Sequence, residues 1–146
     1  MKILVINGPN LNLLGTREPE IYGDLTLDKL NELIRTKAKK MDMEIEFFQS
    51  NHEGAIVDKI QESLKKVDYL IINPAALTHY SISIRDAILS TEIKTIEVHI
   101  SNVYKRESFR HNSVLSDIVI GKLVGFGYFG YLMALDFIQS QNSHNL

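Results

Sequence analysis

The apolar positions of this chain fall into short runs separated by longer amphipathic stretches. Ile3 to Ile6, Ile45 to Phe48, Tyr69 to Ile72 and Ile96 to Ile100 are rich in β-branched or aromatic residues. Each is too short for a helix, and none alternates with polar residues through its centre, which is the pattern of strands buried on both faces. Ile118-Val119-Ile120 fits the same description and is expected to be a fifth strand. Between the runs the period becomes helical. Leu27, Leu30, Leu33 and Ile34 share one helix face, with Thr26 as N-cap, Asp28 in the first turn and Lys37, Lys39 and Lys40 as a solvated C-terminal end. Ala55, Ile56, Ile60 and Leu64 predict a second helix, and Ile82, Ile84, Ala87, Ile88 and Leu89 a third. A last one runs from about Tyr128 to Ile138, and the polar tail from Gln139 to Leu146 is expected to fray. Strands alternating with helices imply right-handed βαβ units. The economical architecture is an α/β, flavodoxin-like three-layer sandwich around a five-stranded parallel sheet. There is no internal repeat, low-complexity segment or linker, so residues 1–146 are read as one domain.

One connection departs from this regularity. Asn7 to Asp24 carries no convincing helix or strand and contains Gly8, Pro9, Gly15, Pro19 and Gly23. Connections of this kind usually have about 2–6 residues, and a much longer one inside a compact domain is usually functional, often a lid. Ligands of open parallel sheets bind outside the carboxyl ends of the strands. Those ends are polar here: Asn7 and Asn10, Ser50 to Glu53, Asn73 to His79, then Glu97, His99, Ser101 and Asn102. They suit a small, oxygen-rich ligand.

Composition narrows the chemistry. Sixteen basic and eighteen acidic residues leave a formal charge of −2, which gives no support for nucleic-acid binding through bulk positive charge. The absence of cysteine excludes disulfides, thiolate metal sites and a cysteine nucleophile. No apolar run approaches the ~20 residues needed to span a bilayer, and no cleavage signal follows the N-terminal strand, so a cytoplasmic location is expected.

Familiar motifs fail on context. Gly125 to Gly130 spells G-x-G-x-x-G, but it comes last in the chain, with no strand after it and with Tyr128 and Phe129 crowding any pyrophosphate. Close helix packing is the expected role. The histidines at 52, 79, 99, 111 and 144 form no i, i+4 pair and lack an acidic cluster, so no metal is expected. Asn7 and Asn73 stand where a phosphoacceptor domain needs acids, and no G-x-S-x-G elbow is present.

Two pairs of residues remain. Arg17 and Tyr22 lie five apart on the long loop. Lowering a tyrosine from about 10 to about 7 requires roughly 4 kcal/mol, which one cation at ~4 Å in a partly screened site supplies. Tyr22 is thus either a phenolate base or a packed lid residue. Glu97 and His99, two apart on a strand, share one face, and a carboxylate beside a histidine fixes its tautomer and makes it a candidate general acid. Asn10 and Asn73 each donate and accept, which suits a hydroxyl or an enolate oxygen. Arg110 and His79 can grip a polar substrate. A base, an acid and neutral amides, without nucleophile or metal, point to proton abstraction and elimination. The competing reading is a non-catalytic small-ligand or flavin-binding module.

The motifs are similar to those of type II 3-dehydroquinate dehydratases. They run in order as Asn7-Gly8-Pro9-Asn10-Leu11-Asn12, Arg17-Glu18-Pro19, Tyr22-Gly23, Gln49 to Gly54, Asn73-Pro74 with Thr78-His79, Arg85-Asp86, Glu97 to Asn102, Arg106-Glu107, Phe109-Arg110 and Gly125 to Leu135. The resemblance implies a flavodoxin-like subunit in a dodecamer, a tetramer of trimers. It implies dehydration of 3-dehydroquinate to 3-dehydroshikimate in the shikimate pathway, without metal, cofactor or Schiff base. It implies that Tyr22 takes the C2 proton while Arg17 lowers its pKa and closes over the site, and that Asn10 holds a water at the enolate. His99 would then protonate the departing C1 hydroxyl, oriented by Glu97, with Asn73 holding that region. The amides of Ile100 and Ser101 would take the carboxylate, His79 and Arg110 the ring hydroxyls, and Asp86 would reach in from a neighbouring subunit. Ala75 stands where many relatives have glycine, Tyr80 where a smaller residue is common, and Tyr104-Lys105 where His-Ala is common; none removes a proposed catalytic group.

Overall fold

The computed structural model describes residues 1–16, 20 and 24–143. Among the described residues five strands, β1 (Lys2–Asn7), β2 (Glu44–Gln49), β3 (Tyr69–Asn73), β4 (Lys94–His99) and β5 (Gly121–Val124), alternate with four long helices, α1 (Leu27–Lys40), α2 (Glu53–Glu62), α3 (Ile82–Thr91) and α4 (Phe129–Ser143). The strands form one sheet in the order β2-β1-β3-β4-β5, and every pairing is parallel. This is the doubly wound, flavodoxin-like order, whose direction reverses between β1 and β3.

Strand side chains alternate between two apolar layers because successive residues point to opposite faces. Ile3, Val5, Tyr69, Ile71, Ile96 and Val98 pack with Leu30, Ile34 and Ala38 of α1 and with Tyr131, Ala134, Leu135 and Ile138 of α4. Leu4, Ile6, Leu70 and Ile72 pack on the other face with Ile56 and Ile60 of α2 and with Ile84, Ala87 and Ile88 of α3. The apolar runs of β1, β3 and β4 thus reflect burial on both sides, whereas Ile45 to Phe48, expected to be buried likewise, are only half-buried because β2 is an edge strand. The Thr26 hydroxyl accepts from Lys29 N at the start of α1, and at its other end Lys37 pairs with Asp136 of α4 at 2.7 Å.

Two boundaries differ from the sequence pattern. Ile118-Val119-Ile120 is not the fifth strand. The amides of Ile118 and Val119 both donate to Leu115 O in a turn, while their side chains pack against the α2–α3 layer. The ladder is entered at Ile120, whose N–H donates to Thr95 O, and β5 follows at Gly121. A glycine and a lysine at its start conceal the strand. At the C-terminus, Gln139 to Ser143 continue α4, with Ile138 still anchored in the core and the Ser143 hydroxyl donating to Gln139 O. Among the described residues no helix is long and apolar enough to cross a membrane.

The segment after β1 begins with a single 3-10 turn, Leu11–Leu13, pinned by buried Leu11 and Leu14. A Cβ on Gly15, which has φ +87°, would stand 2.8 Å from Asp24 O, so the chain leaves at 16 and returns at 24 from one place. The strand ends meet as tightly. A Cβ on Gly8 would lie 2.5 Å from Pro74 O, and Gly8 N donates to Asn73 O at 2.8 Å. Gly8→Ala is expected to lower the unfolding free energy by about 2 kcal/mol, because two backbones must separate; urea denaturation measures it, and an unchanged midpoint would refute the close approach.

Candidate active site

A cavity opens at the carboxyl ends of β1, β3 and β4, beside the point where the strand order reverses. Its walls are Pro9, Asn10 and Leu11 after β1, Asn73, Ala75, Ala76 and His79 at β3, His99, Ile100, Ser101 and Val103 at β4, and Arg106 and Arg110 beyond. Seven of the eleven residues singled out in the sequence meet here: Asn10, Asn73, His79, His99, Ile100, Ser101 and Arg110. Glu97 lies directly behind His99. Asp86 is exposed on α3 and does not line this cavity. Arg17 and Tyr22 lie outside the described residues.

Alternation along β4 puts Glu97 and His99 on one side, while Val98 points to the opposite layer. Glu97 is wholly buried and His99 nearly so, with His99 Nε2 2.5 Å from Glu97 Oε2. A carboxylate accepts, so Nε2 carries a hydrogen and Nδ1 is the ring nitrogen left for other work. The Ser113 hydroxyl donates to Glu97 Oε1 at 2.7 Å, Thr78 Oγ1 lies 3.1 Å from Oε2, and Lys122 Nζ stands 3.4 Å from Oε2. Burial alone pushes the Glu97 carboxyl upward. The His99 hydrogen bond and charge, the Ser113 hydroxyl and the Lys122 ammonium outweigh it and hold the group below the usual carboxylate range.

The G-x-G segment braces the same strand end. Gly125 N donates to His99 O, and Gly127 N to Ile100 O. Both peptides are trans, so the N–H groups of Ile100 and Ser101 point away from that loop and along a common direction. Two successive amides turned the same way make a concavity of the kind that can receive an anion, a nest. Gly125, at φ +90°, passes so close to Asn102 that a Cβ would stand 2.9 Å from its Cβ, and Gly130 packs on Val98. Close helix packing, expected from the sequence, is thus part of this motif's work.

The other polar groups have fixed orientations. Asn10 occupies the left-handed region at φ 70°, its amide donating to Asn51 Oδ1 at 2.9 Å. His79 Nδ1 lies 2.7 Å from Asn112 O, so Nδ1 donates and Nε2 is left as an acceptor. Arg110 Nε donates to Glu107 at 2.7 Å. Ala75 is also left-handed, at φ 53°, a conformation that glycine adopts without strain. Tyr80, Tyr104 and Lys105 are exposed and do not line the cavity.

Thr78, Ser113, Lys122 and Arg106 complete the site without having been singled out as site residues. Lys122 lies in the half-buried strand β5 beside Leu123 and Val124, a strand the sequence pattern does not show. Ser113 carries no signal, since its role depends on a loop folding back over β4.

The matches with known proteins cover nearly the whole chain. The family model described as dehydroquinase class II matches residues 1–139. A 3-dehydroquinate dehydratase of Clostridium botulinum is 57% identical over 136 residues, covering 93% of this chain and 92% of that protein. One from Endomicrobium trichonymphae is 58% identical over 134 residues, covering 92% and 94%. The crystal structure of a type II dehydroquinase from Butyrivibrio crossotus superposes with a TM-score of 0.92 at 55% identity, covering 94% of this chain and 96% of that one. With a strand-end cavity backed by a buried Glu–His pair, and with this likeness along almost its full length, the chain belongs to the class II dehydroquinase family, the hydro-lyases that dehydrate 3-dehydroquinate in the shikimate pathway.

Proposed function

We propose that the reaction is an anti elimination through an enolate, run by Tyr22 as base and His99 as acid. Tyr22, made acidic by Arg17, takes the C2 proton; the C–H electron pair moves into an enolate stabilised through a water held by Asn10. The enolate then re-forms the ketone as the C1–O bond breaks, leaving a C1=C2 double bond, and His99 delivers a proton to the departing hydroxyl so that it leaves as water. The observation that carries this reading is the His99–Glu97 pair. With Nε2–H committed to Glu97, proton delivery from Nδ1 needs the imidazolium, which a buried carboxylate stabilises. Asn73 holds the region of the leaving group, the Ile100–Ser101 nest takes the carboxylate, and His79 and Arg110 bind ring hydroxyls.

The active form is proposed to be a cytoplasmic dodecamer, a tetramer of trimers, in which Asp86 enters a neighbour's site. Its exposure on α3 between Ile82 and Leu89, 54% and 49% exposed, supports an apolar contact around it. One experiment tests both parts: protein is mixed with 3-dehydroquinate with and without borohydride while its sedimentation is followed at assay concentration. Growth of enone absorbance unaffected by borohydride, from a species of twelve chains' mass, is expected. Inactivation by borohydride would refute the imine-free route, and full activity in a monomer would refute the shared site.

A further inference from the structure

Beneath the cavity, a buried tyrosine that the reaction does not touch holds one of its walls. Tyr131 of α4 has no exposed surface, and burial pushes its hydroxyl well above the ordinary tyrosine range. Its hydroxyl donates to Asn7 Oδ1 at 2.6 Å and accepts from Asn73 Nδ2 at 3.0 Å. Asn73 Oδ1 in turn accepts from Ala75 N at 3.1 Å.

The directions in this chain are forced. A backbone N–H only donates, so Ala75 requires Oδ1 of Asn73 on its side, which turns Nδ2 toward Tyr131. Nδ2 only donates, so the phenol oxygen accepts there. Its single hydrogen must go to Asn7, which therefore presents Oδ1. Asn73 lines the cavity, while Asn7 and Tyr131 do not. What the network leaves for the cavity is the second N–H of Asn73 Nδ2. The two asparagines end β1 and β3, and both are nearly buried, so water cannot readily replace a missing partner.

We propose that Tyr131 is a positioning residue: by tying Asn7 to Asn73 across the strand switch, it fixes the Asn73 amide as a hydrogen-bond donor to a substrate oxygen. The proposal rests on the reading of Asn73 as a substrate ligand. It also explains why an apolar helix face carries a tyrosine where a phenylalanine would fill the same volume. Without the phenol oxygen, one Asn73 N–H and the Asn7 carbonyl lose their partners together, and the amide rotates.

The test is a double-mutant cycle on kcat/KM for 3-dehydroquinate, with thermal midpoints measured alongside. Tyr131→Phe is expected to lower kcat/KM about tenfold at temperatures where it remains folded, but less than about twofold when Asn73 is already alanine. Asn7→Ala, which removes the other end of the tie and touches no substrate, is expected to show the same fall in kcat/KM and the same non-additivity with Asn73→Ala. It serves equally should Tyr131→Phe fail to fold. A lower midpoint with unchanged kcat/KM, or additive losses with Asn73→Ala, would make Tyr131 a packing residue only and overturn the proposal. Unchanged kinetics in Asn73→Ala alone would overturn the reading of Asn73 itself, and this inference with it.

Discussion

Tyr22→Phe is expected to lower kcat by about 10²–10⁴-fold, the usual worth of a positioned base, while KM stays close to its wild-type value. The substitution removes one hydroxyl and keeps the ring. A loss confined to kcat marks a group that acts only in the transition state. The alternatives within the described cavity are few. No tyrosine lines it, and its titratable bases are His79 and His99. Tyr131 is excluded by its complete burial and by a hydroxyl already committed to two asparagines. Steady-state enone absorbance measures the effect. Near-wild-type turnover would withdraw the assignment and pass it to His79, whose Nε2 can accept once Nδ1 has donated to Asn112 O.

The parts of this molecule legible in the sequence are those set by local periodicity. β1 and β3 announce themselves because both of their faces are buried, and α1 because its apolar stripe begins after a threonine cap. Glu97 and His99 are legible as a pair because a strand fixes their side chains on one face. β5 is not legible: its pattern is broken by Gly121 and by Lys122, whose ammonium turns to Glu97. The apolar residues that imitate a strand, Ile118 and Val119, serve a turn instead. The partners of Glu97 are not legible either. Thr78 follows β3 and Ser113 lies in a loop after β4, and only the fold brings them within 2.7 Å of each other. The glycine motif's place in the chain points to close packing, and Gly130 packs on Val98. The motif's second task, holding the carbonyls of His99 and Ile100, depends on a loop conformation that no spacing rule describes.

Glu97→Gln is the sharpest test of how His99 works. Four donors face this carboxylate: His99 Nε2 at 2.5 Å, the Ser113 and Thr78 hydroxyls and the Lys122 ammonium. An amide offers one oxygen and one NH₂ in the same space. It fits with its oxygen toward His99 and Lys122 and its nitrogen toward Ser113, whose hydroxyl then turns to donate to Thr78, 2.7 Å away. The orientation of the His99 ring is thereby kept and the negative charge alone is lost. The expected result is a fall in kcat of about 10²-fold or more with little change in KM, because the imidazolium loses its counter-charge. Stability changes in a defined pH window. An ordinary glutamate titrates near 4.5, and Glu97 in the folded chain titrates lower. The carboxylate form therefore favours folding: its contribution, about 2 kcal/mol for charge-assisted bonds, is complete above 4.5 and is lost as the pH falls through the folded value. Urea denaturation at neutral pH is expected to show the variant less stable by about that amount, with the gap closing in acid. Wild-type kcat together with a stability gap that persists unchanged in acid would mean that Glu97 acts through shape and hydrogen bonding alone, and its charge would then have no part in either the fold or the proton transfer.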